Sequence, residues 1–180
     1  YIEIPRKNGK STLCAGLALY MLYADGELGA EVISAAADRQ QAGIVFDIAK
    51  NQVLNNKELS KRGKVFRNSI TLEKNNSYYK AISADANTKH GFNCSAIIFD
   101  ELHAQQNREL FDVLTTSTGA RKQPLTICIT TAGYDKESIC YEVHDYAKKV
   151  ISGAIKDESF LGVIFAAEKE DDWTKEETWK

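Results

Sequence analysis

Short apolar segments alternate with segments of helical spacing along this chain, and that alternation limits the fold more than any other feature. The predicted strands are Tyr1–Ile4, Glu31–Ala37, Ser95–Phe99, Leu125–Thr131 and Phe160–Ala166. In most of them, neighbouring residues are apolar, so apolar side chains lie on both faces of the strand. This pattern is typical of strands buried on both faces of a parallel sheet. With helices between the strands, the pattern predicts an α/β layer fold.

The segments between these strands have apolar residues three and four positions apart, as helices require. The predicted helices cover Ser11–Ala24, Ala42–Val53, Asn107–Thr116 and residues 137–151. Asp38 is expected to cap the second helix, because Gln41 three residues later completes a capping box. The first helix is almost entirely apolar, which predicts burial on most of its sides.

The middle of the chain follows a different pattern. Ser69–Glu73 and Ser77–Ser83 indicate two strands. Asn75 and Asn76 lie between them, and this pair suits a two-residue hairpin turn. The sequence therefore predicts an antiparallel hairpin added to the parallel sheet.

Composition excludes several classes of protein. A chain of 180 residues suits one hydrophobic core, and 23 Lys and Arg against 25 Asp and Glu leave a net charge of −2. Overall charge therefore gives no indication of nucleic-acid binding. The uncharged apolar run Leu13–Ala24 is too short to span a bilayer, so no membrane partner is expected. The four cysteines form no CxxC pair, which argues against a zinc site, and a disulfide framework is not expected in a chain of this length with a full core. The sequence therefore predicts buried free thiols.

The sharpest local signal is Gly9-Lys10-Ser11, the second half of the phosphate-binding motif G-x-x-x-x-G-K-[ST]. It lies between a predicted strand and a predicted helix. In that setting, backbone N–H groups near the glycine approach phosphate oxygens, Lys10 contacts the β- and γ-phosphates and the Ser11 hydroxyl holds Mg²⁺. Ile4 replaces the first glycine of the motif. A lysine-rich turn that only caps a helix is therefore the alternative.

Two adjacent carboxylates, Asp100 and Glu101, follow the apolar strand Ser95–Phe99. The carboxyl ends of parallel strands are where folds of this kind bind ligands. In a nucleotide hydrolase the first acid holds Mg²⁺ and the second acts as the general base for the attacking water. Solvated acids at an ordinary strand exit are the alternative, and the phosphate-loop motif earlier in the chain argues against it.

Three motifs in this order resemble the ATPase motifs of the large terminase subunit of tailed bacteriophages. They are residues 5–11 (PRKNGKS), residues 99–103 (FDELH) and residues 129–133 (ITTAG). The first is quite specific, because it lacks the first Walker glycine and carries Arg6 in the loop. The resemblance implies a three-layer P-loop NTPase fold of the RecA/ASCE-like type, with a central, mostly parallel sheet and an antiparallel hairpin addition.

The same resemblance implies roles for individual residues. The expected nucleotide-binding residues are Pro5, Arg6, Lys7, Asn8, Gly9, Lys10, Ser11, Thr12, Thr130 and Thr131. Ser11 and Asp100 are the expected Mg²⁺ ligands. Glu101 is the expected general base, and Arg6 is expected to stabilise charge on the transferring phosphoryl group.

Some stretches admit a second interpretation. Thr130 and Thr131 match the motif that senses the γ-phosphate, but they also suit a core strand that ends in a glycine turn. The family often places an arginine for a neighbouring subunit before the acid pair. Lys89 stands there in this chain and lacks the planar fork of arginine. The basic residues from Lys57 to Lys74 could follow DNA phosphates or a neighbouring subunit, although a solvated charged face is favoured.

The family implies a motor that uses ATP and Mg²⁺ to move viral double-stranded DNA into a procapsid. The implied partners are DNA, the portal protein, the small terminase subunit and further copies in a ring, in the cytoplasm of an infected or prophage-carrying bacterium. Residues 1–167 are expected to be the ATPase domain, truncated at both ends. Residues 168–180 are expected to begin a linker toward a nuclease domain. A RecA-like helicase or translocase and a non-catalytic nucleotide-binding assembly module are the alternatives.

Overall fold

The computed structural model describes residues 1–84, 91–105, 107–133, 135–166, 172 and 174–176. Its strands are β1 (Ile2–Glu3), β2 (Glu31–Ala36), β3 (Lys64–Val65), β4 (Ser69–Leu72), β5 (Ser77–Ser83), β6 (Ala96–Phe99), β7 (Leu125–Thr130) and β8 (Val163–Ile164). Its α-helices are α1 (Lys10–Tyr23), α2 (Arg39–Leu54), α3 (Lys57–Arg62), α4 (Glu109–Thr116) and α5 (Ile139–Ile151).

The strands form one sheet in the order β3-β4-β5-β2-β6-β7-β1-β8. The six strands from β5 to β8 in this order pair in parallel, whereas β3, β4 and β5 pair antiparallel. The predicted mostly parallel sheet with an added hairpin is thus confirmed. The last predicted strand is shorter than expected, because only Val163 and Ile164 pair with β1.

The connection within the hairpin differs from the prediction. Leu72 pairs with Ser77, so four residues join the strands where two were expected. Glu73–Asn75 form a 3₁₀ turn, and Asn76 ends it in the left-handed region at φ 54°. A two-residue turn of the Asn-Gly type needs positive φ at both central residues, and here Asn76 alone supplies it.

Hydrophobic cores lie on both faces of the sheet, as successive residues of β6 demonstrate. Ala96 and Ile98 pack into the core under α1 and α2. Ile97 and Phe99 pack into the core under α4 and α5. All four residues of this strand are buried, as its unbroken apolar sequence predicts. The result is a three-layer arrangement of helices, sheet and helices.

Helix α1 is less enclosed than its composition predicts. Leu13 and Tyr20 are 50% and 56% exposed, whereas Cys14, Ala18 and Leu22 on the opposite side are buried. Eight of its 14 residues are nevertheless buried, so the expectation of burial holds for the larger part of the helix. The helix covers one face of the sheet and packs against α2, and at its end Tyr23 contacts Leu59 and Arg62 of α3.

Two elements were not predicted, and one predicted cap was found. Helix α3 (KELSKR) has no buried residue, and its sequence contains no apolar periodicity from which a helix could be predicted. Strand β3 is only two residues long. The Asp38 carboxylate accepts a hydrogen bond from the Gln41 N–H at 2.9 Å and caps α2 as expected.

The cysteine prediction is also confirmed. All four cysteines are buried free thiols.

Within the described ranges, none of the helices is long and apolar enough to cross a bilayer.

Candidate functional site

The loop between β1 and α1 presents backbone N–H groups to solvent. Gly9, at φ 75°, is the residue before α1, and no side chain caps the helix there. The first N–H groups of α1 therefore have no capping acceptor and suit an anion. Lys7 is also left-handed at φ 67°. The Asn8 side-chain amide donates to the carbonyls of Pro5 and Arg6 at 3.1 and 3.3 Å, which holds the loop closed on itself.

The Lys10 ammonium is enclosed by this loop. The residue is only 7% exposed, and its Nζ donates to the Ile4 and Pro5 carbonyls at 2.8 and 3.2 Å. Among the residues that the structure describes, no carboxylate lies within ion-pair distance of this ammonium. Two carbonyl dipoles satisfy its hydrogen bonds but leave its positive charge available to a phosphate.

The acid pair reaches the same loop through a sharp turn after β6. The Asp100 N–H donates to the Ala35 carbonyl at 2.9 Å, which extends the pairing of β6 with β2 by one residue. Glu101 then adopts the left-handed conformation at φ 50° and ψ 55°. This conformation costs a residue with a side chain on the order of 1 kcal/mol or more, and such strain clusters at functional sites.

One small pocket joins the two motifs. It has a volume of about 240 Å³. Its lining residues are Arg6, Lys7, Gly9, Lys10, Ser11, Thr12 and Glu101. β7 separates the strands that carry the two motifs, so the contact is made by their loops at the carboxyl edge of the sheet.

Asp100, which precedes the pocket residue Glu101, is 2% exposed. Burial and, to a smaller extent, the neighbouring Glu101 charge raise the pKa of its carboxyl group from 3.8 to about 6, and the Glu101 backbone N–H and the Lys10 charge partly oppose this shift. Its Oδ1 atom is inaccessible to solvent and has no hydrogen-bond partner among the described residues. A buried carboxylate oxygen without a partner suits Mg²⁺, which binds oxygen ligands.

Thr130 connects the end of β7 to both motifs. Its carbonyl accepts a hydrogen bond from the Ile4 N–H at 3.2 Å, where the phosphate loop begins. Its hydroxyl donates to the Thr131 carbonyl at 2.8 Å and lies 2.9 Å from Nδ1 of His103. Thr130 is fully buried, whereas Thr131 is partly exposed.

The structure thus brings most of the predicted site residues to one edge of the sheet. Pro5 and Asn8 shape the loop but do not line the pocket, and Thr130 and Thr131 approach it only through neighbouring groups. Lys89 lies outside the described residues. Sequence reasoning assigned no role to His103, although this residue belongs to the FDELH motif.

Three of the six basic residues from Lys57 to Lys74 contact neighbouring acceptor groups. Lys61 pairs with Glu58 at 2.9 Å, and Lys64 pairs with Glu73 at 2.5 Å. Arg62 donates to the Tyr23 carbonyl at 2.7 Å. These contacts favour the solvated charged face over a continuous phosphate-binding surface.

A larger apolar cleft of about 980 Å³ lies toward the amino ends of β1 and β7, and Tyr1, Leu125 and Tyr146 are among its lining residues. It contains none of the predicted site residues and lies at the opposite edge of the sheet from the phosphate loop.

Comparison with known proteins identifies relatives in sequence and in fold. Residues 1–149 match the family "Terminase large subunit, ATPase domain". The large terminase subunit of Enterobacteria phage HK97 is 31% identical over 184 residues, which cover 99% of this chain and 35% of that protein. The crystal structure of the HK97 large terminase superposes with a TM-score of 0.85 at 29% identity, covering 99% of this chain and 37% of that chain.

More distant structures share the fold. The ATPase domain of the Thermus phage P74-26 large terminase matches with a TM-score of 0.60 at 19% identity, covering 74% of this chain and 60% of that chain. The large terminase of a thermophilic bacteriophage, in complex with ATP-γ-S, matches with a TM-score of 0.51 at 11% identity. That match covers 91% of this chain and 45% of the other chain.

The present chain spans about a third of the length of the HK97 protein. The family match extends from the phosphate loop through the acid pair and the end of β7 to most of α5. Together with the HK97 similarity in sequence and fold, this match shows that the chain belongs to the family of ATPase domains of terminase large subunits.

Proposed function

We propose that this chain hydrolyses ATP in the presence of Mg²⁺. The single observation that supports this most directly is the pocket that Glu101 shares with the phosphate loop. A carboxylate and a lysine-bearing loop from distant parts of the chain are thereby held against the same small volume. Membership of a family of ATPase domains supports the same reaction.

The residues of the pocket divide into binding and catalytic groups. The free N–H groups at the start of α1 and the Lys10 ammonium bind the phosphate oxygens. Glu101 accepts a proton from the attacking water, and Arg6 stabilises negative charge that develops on the transferring phosphoryl group. Arg6 suits this role because it is exposed at the mouth of the pocket.

Ser11 and Asp100 would hold Mg²⁺ in this site. The bound ion supplies positive charge that neutralises the phosphates. Asp100 suits a cation because its buried Oδ1 atom has no hydrogen-bond partner among the described residues. The large terminase of a thermophilic bacteriophage has been crystallised with ATP-γ-S, which supports nucleotide binding on this fold.

The direct test replaces Glu101 with Gln in the full-length protein. Removing a general base lowers turnover by roughly 10²- to 10⁴-fold, whereas the neutral amide leaves the phosphate contacts in place. We therefore expect kcat for ATP to fall by that factor, while the Kd of a fluorescent ATP analogue changes little. Glu58→Gln is the matched control, since Glu58 lies on the exposed helix α3. Turnover near wild type in the Glu101 variant would refute the assignment of the base.

We further propose that the full-length protein couples ATP hydrolysis to packaging of viral double-stranded DNA in the cytoplasm of the host bacterium. Family membership supports this role, with the portal protein, the small terminase subunit and further copies of the chain in a ring as partners. The test is protection of DNA from nuclease by purified procapsids, with full-length protein and ATP. Protection by wild type and its loss in Glu101→Gln are expected. Equal protection by both would contradict the coupling.

A further inference from the structure

His103 lies between the acid pair and the end of β7. It belongs to the 3₁₀ turn that directly follows Glu101. Its Nδ1 atom is 2.9 Å from the Thr130 hydroxyl oxygen and 3.1 Å from Oε2 of Glu101. The backbone N–H of His103 also donates to the Thr130 hydroxyl, at 3.3 Å. One imidazole nitrogen therefore contacts the proposed base and the buried threonine at the same time.

The surrounding hydrogen bonds indicate which atom carries the proton. The Thr130 hydroxyl donates its own hydrogen to the Thr131 carbonyl at 2.8 Å. With that hydrogen directed to Thr131, the hydroxyl oxygen accepts from His103, in the tautomer that carries a hydrogen on Nδ1. Oε2 of Glu101 lies 3.1 Å from the same nitrogen, is inaccessible to solvent and has no hydrogen-bond partner among the described residues.

From this geometry we infer that His103 is a positioning residue, which fixes the Glu101 carboxylate through the contact between Nδ1 and Oε2 and leaves the other oxygen to accept the proton from water. The inference rests on the proposed function, in which Glu101 is the base. A general base must lie within hydrogen-bond reach of the proton it accepts. Glu101 has a left-handed backbone conformation. The contact with His103 selects one orientation of its side chain.

Thr130 gives this contact a connection to the phosphate loop. Its carbonyl accepts the Ile4 N–H, and the Ile4 carbonyl accepts the Lys10 ammonium. A series of hydrogen bonds therefore runs from Lys10 through Ile4 and Thr130 to the imidazole beside Glu101. Because spatial connection alone does not demonstrate coupling, the energy shared between Thr130 and His103 has to be measured.

The experiment compares three substitutions of His103 in the full-length protein, measuring kcat and KM for ATP. Asn places an amide nitrogen at the position of Nδ1, one bond from Cγ, whereas Gln places it one bond further out. Ala removes it. We expect Ala and Gln to lower kcat on the order of 10²-fold, as a misplacement of about 1 Å can, with KM little changed. Asn is expected to recover most of the lost turnover.

A double-mutant cycle then tests the route through Thr130. Thr130→Val removes the hydroxyl at nearly constant volume. If both residues act through one contact, His103→Ala should lower kcat much less in the Val background than in wild type. Equal factors in the two backgrounds would overturn the inference. Thermal unfolding of each variant checks folding, and if the Ala variant does not fold, the comparison of Asn with Gln decides.

Two kinds of failure can be separated. If Glu101→Gln retains turnover, the proposed base is wrong and the role of His103 falls with it. If Glu101→Gln is inactive but Asn and Gln at position 103 give equal kcat, or Ala leaves kcat unchanged, only the inference about His103 is overturned. A rise in KM with constant kcat would also overturn it, because it would place His103 in substrate binding.

Discussion

The buried carboxylate of Asp100 should reduce the stability of the domain at neutral pH. Its pKa is raised from 3.8 to about 6, mainly by burial, so the folded chain binds this proton more tightly than the unfolded chain. Stability therefore falls as pH rises between these two values and is lowest, for this group, above the folded pKa. The difference of about two pKa units corresponds to roughly 3 kcal/mol at pH 7 and above.

Replacing Asp100 with Asn removes this titration while keeping the shape of the side chain. We expect the variant to be more stable than wild type by roughly 3 kcal/mol at pH 8 and by about half that value at pH 5. The assay is urea unfolding of the 180-residue chain in the presence of a chelator, followed by circular dichroism at several pH values. Asp145→Asn, at an exposed ion pair on α5, is the control and should change stability by less than ~1 kcal/mol.

Two results would refute this reasoning. One is an Asn variant that is no more stable than wild type at pH 8. The other is a stability difference that does not shrink on acidification, because the effect would then not come from ionisation of Asp100. Addition of MgATP provides a second comparison. It should stabilise wild type by binding the folded state and should stabilise the Asn variant less, since a proposed metal ligand is lost.

Substitutions at three further residues have expected outcomes. Arg121→Ala should cost roughly 1 to 3 kcal/mol in urea unfolding, because its 8% exposed side chain pairs with the partly exposed Glu27 at 3.0 Å and also donates to the Asn93 and Gly29 carbonyls. Arg121→Lys should cost less. Asp38→Ala should cost about 1 kcal/mol through loss of the α2 cap, with no effect on kcat. Lys10→Ala should weaken binding of a fluorescent ATP analogue by at least about tenfold, equivalent to about 1.4 kcal/mol, and unchanged Kd would contradict its role.

Much of the site was visible in the sequence because the relevant signals are local. Gly9-Lys10-Ser11 between a strand and a helix indicates a phosphate loop, since a helix start and a glycine are properties of adjacent residues. Asp100 and Glu101 after an apolar strand indicate carboxylates at the edge of a parallel sheet. The catalytic and binding roles of these residues stay predictions, but the structure does bring the two motifs to one pocket.

Other features depend on residues far apart in the chain and could not be predicted. Composition gave no reason to expect exposed Leu13 and Tyr20 on α1, because which side of an apolar helix is covered depends on its neighbours. The FDELH motif contains His103, but nothing in it indicates contact with Thr130, which is 27 residues away.

The sequence by itself determined the mostly parallel α/β fold, the phosphate loop and the cap of α2, because hydrophobic periodicity and backbone preferences act over a few residues. Only the tertiary structure decided that Glu101 lines the phosphate pocket and that His103 lies between Glu101 and Thr130. These contacts follow from the order of β6, β7 and β1 in the sheet, and strand order results from packing over the whole domain.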